Sequence, residues 1–151
     1  MLGVIETGTF LMTKHVLPFM KQQKQGRIIV ISSAHGENAD PYKSAYVASK
    51  FAQIGFTKSV ALETVDDGIT VNAVLPGPVR TALIENQLAK LAEQDQSTEQ
   101  EAMEKHITGK MPMNRLLEPE EIADTVVFLA SDKASAITGE TVSYTHLRAH
   151  E

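Results

Sequence analysis

Apolar positions along this chain recur with two different periods. Over residues 1–25, Leu2, Ile5, Phe10, Leu11, Val16, Leu17 and Met20 recur at helical spacing with polar residues between them, which predicts a helix with one broad apolar surface. Pro18 should bend that helix or end its regular part. Gly26 breaks the pattern, and Arg27 to Ile31 is a short, nearly continuous apolar run rich in β-branched residues. Such a run predicts a parallel strand covered on both faces. A loop follows over residues 34–44, with Gly36, Asn38, Asp40 and Pro41. Residues 45–65 read as a long helix whose small residues, Ala45, Ala48, Ser49, Ala52 and Gly55, permit close packing. Asp66, Asp67 and Gly68 make a turn into a second buried strand, Ile69 to Leu75, which ends at Pro76-Gly77-Pro78.

Residues 82–118 have a different texture. Leu83, Gln87, Leu88 and Leu91 keep helical spacing, and a polar stretch after them predicts a second helix capped by Ser97 or Thr98. Glu118-Pro119-Glu120-Glu121 is a helix start, with proline in the first turn and acids at the positive end of the dipole. Ile122, Val126, Val127, Phe128 and Leu129 are expected to form its buried face, and a last strand should begin near Glu140. Strands separated by helices predict an α/β fold with a parallel sheet.

Composition narrows the class. The chain has 151 residues, enough for one domain with a modest core, and 42% are hydrophobic. A net charge of -5 with both signs interspersed argues against a nucleic-acid surface. Without cysteine there is neither a disulfide framework nor thiolate chemistry. The first ten residues lack the basic region of a secretory signal, and no apolar run approaches a membrane span, so a cytoplasmic location fits. His146 and His150 are four apart, as in a helical metal pair, but without a further ligand in view no metal is assigned.

The chemistry concentrates between Ser33 and Lys50. Tyr46 and Lys50 are four residues apart, so on a helix they share a face. Ser33 ends the first apolar strand, thirteen residues before Tyr46. A free phenol titrates near about 10 and is a poor base at neutral pH. A neighbouring ammonium favours the phenolate and lowers that value. Tyr46 can then exchange a proton with an alcohol or ketone while the Ser33 hydroxyl bonds the same oxygen. None of these groups accepts a hydride, so redox work would need a nicotinamide or similar cofactor.

The runs GTFLMTKHVLPFM, GRIIVISS, YVASK, ITVNAVLPGPVRT and RLLEPEEIADTVVFLASDKASAITGE occur in collinear order over residues 8–140. Together they resemble the C-terminal part of the short-chain dehydrogenase/reductase family. The resemblance implies a partial Rossmann-like, doubly wound parallel sheet, the C-terminal part of a three-layer αβα fold. It places that part at residues 1–142, with residues 82–118 as a substrate lid. It implies Ser33, Tyr46 and Lys50 as catalytic residues, with Tyr46 and Lys50 also at the cofactor. It implies that Pro76, Gly77, Val79 and Thr81 pass under the nicotinamide. It also implies a homo-oligomer, dimer or tetramer, built on the first two helices.

Three departures accompany the resemblance. The family carries an Asn where Ile5 stands, holding a water that relays protons to the lysine, so that relay is either absent here or supplied by another group. No G-x-G-x-x-G or close relative occurs in these residues, so the choice between NAD and NADP cannot be read; NAD is the expectation. Residues 143–151 resemble no part of the family and read as a tail.

Around the core pattern, His35, Lys43 and Gln87 resemble the members of the family that oxidise D-3-hydroxybutyrate to acetoacetate. In those members the equivalent side chains hold the substrate carboxylate, and a small anionic hydroxy or keto acid does want a cation and fixed donors at one end. A 3-oxoacyl-carrier-protein reductase shares Ser, Tyr and Lys and stays open. So does a non-catalytic fragment.

Overall fold

Seven consecutive buried residues, Ile69–Leu75, make the central strand of a three-stranded parallel sheet. The computed structural model describes residues 2–144. In chain order the elements are α1 (Leu2–Gln23), β1 (Gly26–Ile31), α2 (Ser44–Thr64), β2 (Ile69–Leu75), α3 (Ala82–Asp95), α4 (Glu99–His106), α5 (Pro119–Ala130) and β3 (Thr141–Ser143). The sheet order is β1-β2-β3, with Gly26 opposite Ile69 and Ala73 opposite Thr141.

The alternation of side chains along a strand sorts β2 between two helical layers. Ile69 and Val71 pack with Val60, Ala61, Leu17 and Met20 from α2 and α1, and Ala73 and Leu75 pack with Ile54. Val74 points the other way, onto Leu129, Ile122 and Val126 of α5. The result is helix, sheet, helix, the doubly wound three-layer arrangement that the family resemblance implies. Ala134 and Ile137 close the α5 side, where Tyr144 also packs. The Tyr144 hydroxyl bonds Glu121 O at 3.2 Å and Thr125 Oγ1 at 2.8 Å. Ser143 is thus the last residue of β3 and Tyr144 packs onto α5, while His146 and His150 lie outside the described residues.

The α5 face is narrower than the apolar run predicts. Ile122, Val126 and Leu129 face the sheet, but Val127 is 67% and Phe128 45% exposed. One hundred degrees per residue turns those two away once their neighbours point inward. In α1, similarly, Thr13 is the buried residue, and Leu2, Phe10 and Leu11 are exposed. Pro18 sits inside α1, which runs on to Gln23. The predicted loop over residues 34–44 contains a single 3-10 turn at Ala34–Gly36.

Buried hydroxyls on α2 are satisfied locally. Ser49, Thr57 and Thr64 bond the carbonyls of Ala45, Gln53 and Val60, each four residues earlier. Asn72, fully buried on β2, donates to Ile137 O at 2.8 Å and accepts from Glu140 N at 3.1 Å. That side chain ties down the turn leading into β3.

The α3–α4 excursion leaves and returns at one point. Val79 bridges Leu117, Leu117 N donates to Pro78 O at 3.0 Å, and Arg80 N donates to Leu117 O at 2.8 Å. Thr98 caps α4 in a capping box with Glu101, one of the two cap residues expected.

Candidate active site

The carboxyl end of β1 and the first turns of α2 bring five of the sequence-predicted residues together. Ser32 N donates to Val74 O at 2.8 Å and Ala34 N to Pro76 O at 2.9 Å, so the chain after β1 is zipped to the end of β2. That zipper fixes Ser33, whose Oγ accepts from the His35 backbone N at 3.2 Å. The His35 ring meets Tyr46 edge to face, with centroids 5.8 Å apart. One turn further along α2, Lys50 Nζ lies 5.7 Å from the Tyr46 ring centre. Ser33, His35, Lys43, Tyr46 and Lys50 are therefore linked through direct neighbours.

Lys50 is buried, and its ammonium donates to Ile31 O and Gln53 Oε1, each at 3.1 Å. Burial pulls its pKa below the ordinary lysine value. Two of its three N–H bonds are spent, leaving one for the Tyr46 side. Tyr46 is half-buried, and among the described residues its hydroxyl has no hydrogen-bond partner. A phenol with an unbonded hydroxyl and an ammonium one turn below it can exchange a proton with an alcohol.

Lys43 Nζ lies 3.1 Å from His35 Nε2 and 2.8 Å from Asp40 Oδ2. Desolvation lowers the His35 pKa, and the Lys43 charge lowers it further; Asp40 and the Asn38 backbone act in the opposite sense. A neutral imidazole accepting from Lys43 on Nε2 carries its proton on Nδ1. Lys43 thus supplies the cation of this corner, and Asp40 already lies on it.

Gln87 is on α3, exposed, and makes no hydrogen bond with His35 or Lys43 among the described residues. Thr81 is the N-cap of α3, but its hydroxyl does not cap the helix and is left for another partner. Pro76, Gly77 and Val79 run from the end of β2 to the Leu117 bridge. The donor set fits the nicotinamide end of a dinucleotide: the spare N–H of Lys50 and the Tyr46 and Thr81 hydroxyls suit ribose and carboxamide oxygens.

Three residues of this neighbourhood carried no chemical role in the sequence reading. Asp40 reads as a loop residue. Gln53 is three residues after Lys50, a spacing that puts it on the same helical face and could have flagged it. Thr9 gave no signal, because it reaches Gln53 across 44 positions.

Known proteins share the sequence and fold of this chain. A family model described as enoyl-(acyl carrier protein) reductase matches residues 1–145. An uncharacterized oxidoreductase, YxjF of Bacillus subtilis, is 45% identical over 94% of this chain and 55% of its own length. The D-beta-hydroxybutyrate dehydrogenase of Rhizobium meliloti is 40% identical over 91% of this chain and 53% of its own. A variant of actinorhodin polyketide ketoreductase, crystallised with NADPH, superposes with a TM-score of 0.83 at 34% identity, covering 93% of this chain and 54% of that one. The chain spans about half the length of the curated relatives it matches. Fold, collinear motifs and relatives agree, and the chain belongs to the short-chain dehydrogenase/reductase family of oxidoreductases.

Proposed function

We propose that this chain carries the alcohol-oxidising site of an NAD(P)-dependent dehydrogenase for a small 3-hydroxy acid, with D-3-hydroxybutyrate and acetoacetate as the pair. The observation that carries the reading is the His35–Lys43 corner beside Tyr46, joined by the 5.8 Å ring contact. It sets a cation near the proton-transfer group, as a short substrate with a carboxylate at one end requires.

The nicotinamide, when bound, takes up or gives the hydride. Tyr46 removes the hydroxyl proton, Lys50 lowers the cost of the phenolate, and Ser33 bonds the developing oxyanion. Lys43, with His35 and Gln87, clamps the carboxylate. Thr81 and the backbone of Pro76, Gly77 and Val79 face the cofactor, with NAD the expected form. Residues 82–118, with both ends pinned at Leu117, act as the lid that shuts out water. Exposed apolar residues on α1 and α2, among them Phe10, Leu11, Phe19 and Phe51, support a homo-oligomer through these helices.

The test uses a full-length enzyme: this chain joined to the remaining residues of a relative of which it spans about half. Lys43→Ala and Gln87→Ala should each raise KM for 3-hydroxybutyrate about tenfold or more, as expected for loss of a charge-assisted hydrogen bond. Tyr46→Phe should cut kcat by about 10²–10⁴-fold, the usual worth of a general base. If neither clamp variant changes KM, the acid is not the substrate.

Asp40 favours a second reading. Its carboxylate partly neutralises Lys43 at 2.8 Å, which suits a substrate with an uncharged end, such as a 3-oxoacyl thioester on a carrier. Assays of the full-length enzyme with acetoacetate and with an acetoacetyl thioester separate the two. The half-length coverage supports a further possibility, that these residues do not turn over alone. Saturable binding of NAD or NADP by the purified chain would rule against it.

A further inference from the structure

Lys50 is the buried cation of this site, yet among the described residues no carboxylate forms an ion pair with it. Its charge is met by neutral acceptors, the Ile31 carbonyl and the Gln53 side-chain carbonyl, each at 3.1 Å. A buried ammonium held only by dipoles depends heavily on how those dipoles are oriented.

The Gln53 amide has its orientation dictated from outside α2. Its Nε2 donates to Thr9 Oγ1 at 2.7 Å, and Thr9 Oγ1 donates to Ile5 O at 2.7 Å. A main-chain carbonyl can only accept, so the threonine proton must point at Ile5 and its lone pair at Gln53. The nitrogen of the amide therefore faces α1, and its oxygen faces Lys50. The bonds from Lys50 to Gln53, Thr9 and Ile5 all run in one direction, so each polarises the next. An amide holds no exchangeable acid at neutral pH, so the chain orients and stabilises charge without conducting protons.

We propose that Gln53, braced by Thr9, is a positioning residue that keeps Lys50 charged and aimed at Tyr46. The proposal rests on the reading of Lys50 as the partner of the Tyr46 phenol. It adds a second helix, α1, to the control of that charge. Other titratable groups nearby are Tyr46 on α2 itself, the His35 ring packed on Tyr46, and Glu6 of α1, which lines the cavity beside Gln53. The pull of burial on Lys50 is in keeping with a charge that needs this support.

The test reads the lysine directly and needs no turnover. The chain is labelled with ¹³C-lysine, the Lys50 resonance is identified with Lys50→Arg, and its titration is followed by NMR. Gln53→Leu should move the Lys50 midpoint down by about 1–2 pH units, the size expected for loss of one hydrogen bond to the charged form. Thr9→Val should move it in the same direction by less, and Thr9→Ser, which keeps the hydroxyl, should leave it in place. Midpoints of Gln53→Leu and Thr9→Val within about 0.2 unit of the parent would overturn the proposal, since the shift predicted from one lost bond is larger. Should Gln53→Leu lose its helical circular dichroism, the Thr9→Val and Thr9→Ser pair decides the matter alone. A full-length Tyr46→Phe that stays active would refute the catalytic reading while leaving this titration result standing.

Discussion

Asp40 Oδ2 sits 2.8 Å from Lys43 Nζ and 3.5 Å from His35 Nε2, so a carboxylate of the chain itself occupies the corner proposed for the substrate carboxylate. The pair is about half exposed, which limits its strength. Exposed ion pairs are worth about 0–1 kcal/mol. Asp40→Asn in the full-length enzyme should therefore lower KM for 3-hydroxybutyrate by about two- to fivefold, the factor that this energy allows. The KM for a neutral thioester should not fall. Steady-state kinetics with both substrates checks this, and an unchanged or raised KM for the acid would show that Asp40 does not compete.

Glu121 ties the end of the α3–α4 excursion to α5. Arg115 grips it with two bonds, at 2.8 and 2.7 Å, and the Glu118 backbone N donates to it at 2.8 Å. Those partners, Arg115 first, hold its pKa at about 2 against an ordinary 4.5. Because the folded value is the lower one, the unfolded chain binds more protons between the two. The contribution is fully present above pH 4.5 and disappears as pH falls towards about 2. Thermal melts across that range should show Glu121→Gln melting below the parent at neutral pH and the gap closing in acid. A gap that stays constant with pH would mean the ion pair contributes nothing.

Asn72 holds the entry to β3 through Ile137 and Glu140. Asn72→Leu keeps the volume but leaves a carbonyl and an amide without their partner. An unsatisfied group costs up to about 1–3 kcal/mol when buried, and these two are part-buried, so a loss of about 2–4 kcal/mol, below the full sum of the two, is expected. Urea unfolding monitored by circular dichroism measures it. A loss under about 1 kcal/mol would show that water replaces the side chain there.

Local pattern was enough for the strands and most of the helices. Ile69 to Leu75 could be nothing but a strand buried on both sides, and the Tyr46–Lys50 spacing put both on one face before any packing was known. The Glu118-Pro119 start and the Thr98 cap are likewise local, because a cap depends on residues three apart. Pattern overreached where a run was longer than a helix face is wide. Val127 and Phe128 are apolar, but only three-dimensional packing chooses which hundred degrees of α5 meets the sheet.

What the sequence by itself determined, then, was the type of chemistry: a phenol, an amine and a hydroxyl on fixed local spacings, within an α/β chain. Tertiary structure alone decided what surrounds them. The Thr9–Gln53 bond joins positions 44 apart, and the Asp40–His35 contact depends on how one loop folds over the end of β1. Periodicity records which side of an element is buried; it carries no information about which distant donor meets which acceptor. Orientation of a dipole at Lys50, or competition for Lys43, is set only when separate elements are brought within hydrogen-bonding range.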